Sequence, residues 1–282
     1  MAGVRSRALV DTASLAAQLG AVDLKVVDAT WFLPTVARDA KREYALAHIP
    51  GAVYFDIDEV ADEASALPHM LPDPVKFSSR ARRLGLGDGT RIVIYDNNKY
   101  SASARVWWMF RVFGHPDVAV LDGGLAKWRA EGRPLTDEPV IPREAHFKSR
   151  QNNLLVRELE QMRANVLNRR EQVIDARSPG RFAGTEPEPR RGLRSGHIPG
   201  SLSLPYLELI GADGTLLPED ELRARFAAAG VDLDRPIATT CGSGVTAGTL
   251  ALALYQLGRD NVAVYDGSWS EWGARSDTPV ET

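Results

Sequence analysis

One cysteine, Cys241, is all that the 282-residue chain contains. A single thiol excludes an internal disulfide and a thiolate metal cluster, and it suits a reducing compartment. Excess charge of either sign is missing too. With a formal net charge of -3 and a pI of about 6.0, there is no basic footprint for nucleic acid or an anionic membrane. Long apolar runs are also absent. The opening "MAGVRSRALVDTASLAAQLG" has two arginines but no continuous apolar segment, so the expectation is neither a secretory signal nor a membrane span, and a cytoplasmic location.

At roughly 150 residues per domain, the length favours two domains, and the chain repeats itself. "KVVDATW", "LAHIPGAVYF", "RIVIYDNN", a stretch ending "FRVFG" and "VAVLDGGLAKW" are followed by "QVIDARS", "SGHIPGSLSL", "PIATTCGS", a stretch ending "YQLG" and "VAVYDGSWSEW". Asp28 recurs as Asp175, His48 as His197 and Asp122 as Asp266, at separations of 147, 149 and 144 residues. So few insertions over five blocks predict a duplicated domain. The proline-rich, polar stretch Pro134 to Asn153 lacks an apolar period, as a linker does. The expected domains are therefore 1–135 and 154–282, joined by a linker at 136–153.

In each half, short β-branched runs alternate with helical patterns such as "SARVWWMFRVFG" and "AGTLALALYQLG". That alternation predicts an α/β fold with a parallel sheet flanked by helices. Gly114 and Gly258 stand where helix C-caps would. In open parallel sheets ligands collect beyond the carboxyl ends of strands, and Cys241 follows the run "PIATT" at such a point. The residues after it, Gly242, Ser243, Gly244, Val245 and Thr246, can turn successive N–H groups inward as an anion-binding nest ahead of a helix. A thiolate at the centre of such a nest is stabilised as a nucleophile; the alternative for a free cysteine is a small buried hydrophobe. Aligning "IVIYD" with "ATTC" puts Asp96 where Cys241 stands, so the thiol is present once in a loop present twice.

The tandem "HIPG" segments, the "DGG" and "DGS" turns before tryptophan, "CGSGVTA", "GRFAGTEPEPR" and "RVWWMFRVFGH" resemble the rhodanese superfamily of sulfurtransferases over nearly the whole chain. The resemblance implies two tandem rhodanese-like domains, the first inactive and the second carrying a cysteine persulfide on Cys241. It also implies that Arg181 and Arg190 hold the carboxylate and ketone of 3-mercaptopyruvate. It adds a relay from Ser243 through His69 to Asp58, which would set the site in the interdomain cleft. A reduced thioredoxin, a small thiol or cyanide would accept the sulfur, with no metal or organic cofactor.

Thiosulfate-using relatives are expected to carry basic residues directly after the cysteine, where Gly242 and Ser243 stand. A small dianion would be desolvated there with only backbone dipoles to meet it. "GRFAGTEPEPRRGLR" instead supplies Arg181, Arg190, Arg191 and Arg194, planar forks suited to a carboxylate; the bland alternative is a solvated run balancing Glu186 and Glu188. His48 and His197, present in both halves, read as structural. Trp107, Trp108, Trp128, Trp269 and Trp272 read as packing. Two rivals are weaker. A cysteine phosphatase needs arginine at position 247, where Ala247 stands, and a non-enzymatic module fits the Asp96 loop better than the Cys241 loop.

Overall fold

The computed structural model describes residues 8–282. Residues 1–7, part of the stretch behind the expectation of no signal, lie outside the described residues. The first half runs β1 (Leu9–Val10), α1 (Thr12–Ala16), β2 (Leu24–Asp28), α2 (Ala40–Leu46), β3 (Ala52–Tyr54), α3 (Pro74–Arg83), β4 (Arg91–Tyr95), α4 (Ser101–Val112), β5 (Val118–Leu121) and α5 (Gly124–Ala130). The second runs β6 (Val156–Arg157), α6 (Leu159–Asn168), β7 (Gln172–Asp175), α7 (Pro179–Phe182), β8 (Leu202–Ser203), α8 (Glu219–Ala228), β9 (Ile237–Thr240), α9 (Ala247–Gln256), β10 (Ala263–Tyr265) and α10 (Ser268–Trp272). The sheet orders, β1-β5-β4-β2-β3 and β6-β10-β9-β7-β8, are the same order shifted by five strands. Every pairing is parallel. The halves are thus two α/β domains of one design.

Local sequence explains the elements. Strands covered on both faces need continuous apolar or β-branched runs, and "RIVIY", "VAVL" and "IATT" supply them. Gly114 and Gly258 take φ of 83° and 82°. Each closes its helix as a Schellman motif: Gly114 N–H donates to Arg111 O and His115 N–H to Phe110 O, and Gly258 N–H to Tyr255 O and Arg259 N–H to Leu254 O. The five tryptophans expected in the core are all fully or almost fully buried.

The polar connection is not loose. Phe147 is fully buried, with its ring 5.6 Å from Phe77 and 6.1 Å from Phe110. Backbone bonds from Ala145, Arg150 and Asn152 reach Arg82, Phe113 and Val112. One buried aromatic and these bonds fix a stretch that has no periodicity of its own.

The two halves meet where α4 lies against α9. A Cβ at Gly248 would stand 2.9 Å from the Arg105 nitrogen and 3.0 Å from the Ala104 carbonyl, so only glycine lets these helices approach so closely. Two bonds cross the interface in matching fashion: Leu71 N–H donates to Asp266 Oδ2 at 2.7 Å, and Leu216 N–H to Asp122 Oδ1 at 2.9 Å. Among the described residues no helix is long and apolar enough to cross a membrane.

Candidate active site

β9 delivers Cys241, 2 % exposed, to the carboxyl edge of the second sheet. The loop that follows is pinned by its carbonyls. Trp269 N–H donates to Cys241 O at 2.9 Å and Ser270 N–H to Gly242 O at 2.8 Å; Ser270 Oγ also donates to Gly242 O, and Arg105 Nη1 to Gly244 O at 3.2 Å. Gly244 has φ of 75°, the left-handed region that favours glycine. With those carbonyls held outward, the N–H groups of Gly242, Ser243, Gly244 and Val245 meet no protein acceptor among the described residues. They form the nest expected from the glycine spacing, and Thr246 leads into α9 as its N-cap. Behind it, Ser268 adopts φ of 48°; its Oγ accepts from Cys241 N–H at 3.2 Å.

The arginine segment leaves α7 and folds back over this loop. An ideal Cβ at Gly242 would fall 2.8 Å from Arg181 Nη2, so the glycine makes room for a guanidinium. Arg181 is oriented by Glu188, which accepts from its Nε at 3.2 Å and from Nη2. Glu188, with a side chain 2 % exposed, also pairs with Arg177, which in turn pairs with Asp175. The balancing glutamate is therefore real for Arg181, while Glu186 accepts from Ser178 Oγ instead.

Arg190 differs. Among the described residues no carboxylate lies within ion-pair distance of it; its Nη2 lies 3.1 Å from His69 Nε2. Burial pulls its guanidinium below the ordinary arginine range, against the attraction that a thiolate at Cys241 would exert. Of the other two arginines, Arg191 is exposed, and Arg194 ties down the C-terminal segment through the carbonyls of Trp272, Gly273 and Thr278.

His69 comes from the first half and reaches this site, with its Nδ1 2.9 Å from Asp58 Oδ1. Burial lowers its pKa below 6.5, outweighing the pull of Asp58. The imidazole is thus neutral at pH 7, and Nε2 is free to accept from Arg190. Burial alone would raise the Asp58 pKa, but hydrogen bonds from His69 and Trp31 bring it below the usual carboxylate value. Ser243 is buried, and its hydroxyl makes no side-chain hydrogen bond to His69, whose Nε2 is taken by Arg190.

Three further neighbours complete the site: Glu188 as a clamp on Arg181, Arg105 reaching over from α4, and Tyr206. The Tyr206 phenol is pushed up to about 12, first by burial and then by the charges that ionised Asp96 and Cys241 would carry. Arg105 had a signal, one of only two charges, with Arg111, inside the apolar run "SARVWWMFRVFG". A groove of about 1240 Å³ lies elsewhere, with Asp122, Glu219, Asp220 and Asp260 among its lining residues; so acidic a wall does not suit an anionic donor. No cluster of three or more His, Cys, Asp or Glu fit for a metal occurs among the described residues. His48 and His197 do matching work, each stacking on an aromatic and bonding a carbonyl through Nδ1.

Comparison with known proteins matches the Rhodanese-like domain twice, at residues 11–131 and 156–275. Human 3-mercaptopyruvate sulfurtransferase is 45% identical over 90% of this chain and 86% of its own length. Bovine thiosulfate sulfurtransferase is 45% identical over 98% of this chain and 94% of its own. Among solved structures, SseA from Escherichia coli, described as a 3-mercaptopyruvate sulfotransferase, superposes with a TM-score of 0.85 at 38% identity, covering 93% of this chain and 98% of that one.

Proposed function

This chain belongs to the rhodanese family, and from that premise we propose that it transfers the sulfur of 3-mercaptopyruvate through a persulfide on Cys241 to an acceptor thiol or cyanide, releasing pyruvate. Residues 154–282 carry the nucleophile, and residues 1–135 serve as scaffold and supply His69 and Asp58. The observation that carries this reading is the pair Arg181 and Arg190 flanking the Cys241 loop, with uncharged Gly242 and Ser243 next to the sulfur. Two guanidiniums set back from the thiol suit a donor whose carboxylate is separated from its sulfur.

In the reaction, the substrate carboxylate and ketone dock on Arg181 and Arg190. The Cys241 thiolate attacks the donor sulfur, and the carbon–sulfur bond breaks. Its electron pair stays with carbon as pyruvate enolate, which takes up a proton. The outer sulfur of the new persulfide sits among the open N–H groups, where a negative charge is stabilised without reorganisation. A substrate that draws off the N–H groups of Arg190 frees His69 Nε2 to accept from Ser243, which is how a Ser243–His69–Asp58 relay assembles. An attacking thiolate then removes the outer sulfur and restores Cys241.

Intact-mass measurement after incubation with donor alone tests this reading. The expected result is one added sulfur, about 32 Da, on Cys241 with matching pyruvate release from 3-mercaptopyruvate and little adduct from thiosulfate. An adduct mainly from thiosulfate, the donor named for the bovine relative, overturns the substrate assignment but keeps the nucleophile. No adduct from either donor overturns both.

A further inference from the structure

We propose that Arg105, a residue of the non-catalytic half, is a positioning residue that sets the persulfide loop of the other half. It lies on α4, is fully buried, and crosses the interface that Gly248 opens. Its Nη1 donates to Gly244 O at 3.2 Å and lies 2.7 Å from Asp266 Oδ1. Its Nη2 donates to the carbonyl of His69, and its guanidinium carbon stands 4.5 Å over the Trp108 ring. One planar cation thus joins the loop bearing Cys241, the turn bearing Asp266 and the segment bearing His69.

The orientation of one peptide explains the effect. In a trans peptide C=O and N–H point in opposite directions. Holding Gly244 O against Arg105 therefore aims Val245 N–H away from the guanidinium, into the nest. The contact is tight: a Cβ at Gly244 would fall 3.0 Å from Arg105 Nη1 and 2.7 Å from Asp266 O. A buried charge is costly unless paired; here Nη1 has Gly244 O and Nη2 the His69 carbonyl as acceptors, while the buried Nε has none among the described residues. A brace also runs the other way: Thr249 Oγ1, on α9, donates to Tyr100 O at 3.0 Å in the Asp96 loop. One loop is thus braced by a hydroxyl and the other by a guanidinium.

The inference rests on the reading of Cys241 as a thiolate nucleophile, and the test separates the two. The charged and titratable groups around the Cys241 loop are Arg181 against Gly242, Arg190 and Tyr206, which couple to the cysteine, His69 behind Arg190, and Asp266 behind Arg105. The rate of Cys241 alkylation by iodoacetamide is followed against pH in the full-length chain, with turnover on 3-mercaptopyruvate alongside, for wild type, Arg105→Met, Arg105→Lys and Thr249→Val. Arg105→Met is expected to raise the alkylation midpoint by about one pH unit and lower kcat at least tenfold, roughly the effect of losing one aimed N–H donor. Arg105→Lys, which keeps the charge beside Asp266 but loses the planar fork, is expected to be intermediate. Thr249→Val is expected to leave the profile and turnover as in wild type. Wild-type midpoints and turnover in folded Arg105→Met overturn the proposal; so does a wild-type profile in Arg105→Lys if Arg105→Met fails to fold. A shift of the same size in Thr249→Val also overturns it, because the effect would then be interface strength alone. A wild-type Cys241 that is not alkylated as a thiolate overturns the nucleophile reading instead.

Discussion

The loop from Asp96 and the loop from Cys241 are the same turn with opposite contents. Leu125 N–H donates to Asp96 O and Trp269 N–H to Cys241 O, both at 2.9 Å. Lys99 (φ 52°) matches Gly244 (φ 75°), and Gly124 (φ 55°) matches Ser268 (φ 48°). The difference is what sits inside. Asp96 turns its own carboxylate into the nest and accepts from the N–H groups of Asn98, Tyr100, Ala102 and Ser103. In the second half the N–H groups of Ser243 and Val245, the matches of Asn98 and Tyr100, meet no acceptor among the described residues. A nest that carries its own anion is a structural element, whereas one left open beside a thiol is the place the proposed function assigns to the transferred sulfur.

Exchanging the contents breaks the comparison most completely. Cys241→Asp is expected to fold and to satisfy the open N–H groups internally, while sulfur transfer falls by at least about 10⁴-fold, as for loss of a covalent nucleophile. Circular dichroism and donor-dependent mass shift check both halves of that expectation; residual transfer near the wild-type rate would remove Cys241 from the chemistry.

Emptying the first nest has the next largest effect. Asp96→Ala strands four N–H groups, three of them buried, and is expected to cost about 3 kcal/mol in chemical denaturation. Persulfide formation at 25 °C is expected to stay within about twofold of wild type, because that loop does no chemistry. Unchanged stability would mean that the nest is not the energetic centre of this domain.

The smallest effect concerns His69, which at φ 61° occupies a turn position where the second half has Gly214 at φ 82°. Its burial-lowered pKa means that the unfolded chain binds the proton more readily. The associated stability is present above pH 6.5 and is lost as the pH falls from there toward the folded pKa. Protonation also puts a hydrogen on the nitrogen that accepts from Arg190. The kcat/KM for 3-mercaptopyruvate should therefore fall severalfold as the pH drops through the folded His69 pKa, which burial sets below 6.5, in a limb that His69→Asn abolishes; asparagine tolerates the left-handed backbone and does not titrate. An acid limb unmoved in that variant would assign it to another group.

Much of this was decided along the chain. The duplication follows from repeated words at near-constant separation, and the sheets from β-branched runs alternating with helices. The nest follows from Gly242 and Gly244 after the strand, and the helix ends at Gly114 and Gly258 from glycine's freedom at positive φ. These are local properties, set by backbone sterics and by periodicity within a dozen residues. Only the tertiary structure decided that Glu188 would grip Arg181, that Arg190 would stay without a carboxylate and meet His69, 121 residues away, and that Arg105 would reach Gly244, 139 residues away. The physical reason is that hydrogen bonds need a particular distance and angle. Across a domain interface both are set by how closely α4 and α9 pack, through Gly248, and no spacing in the sequence records that.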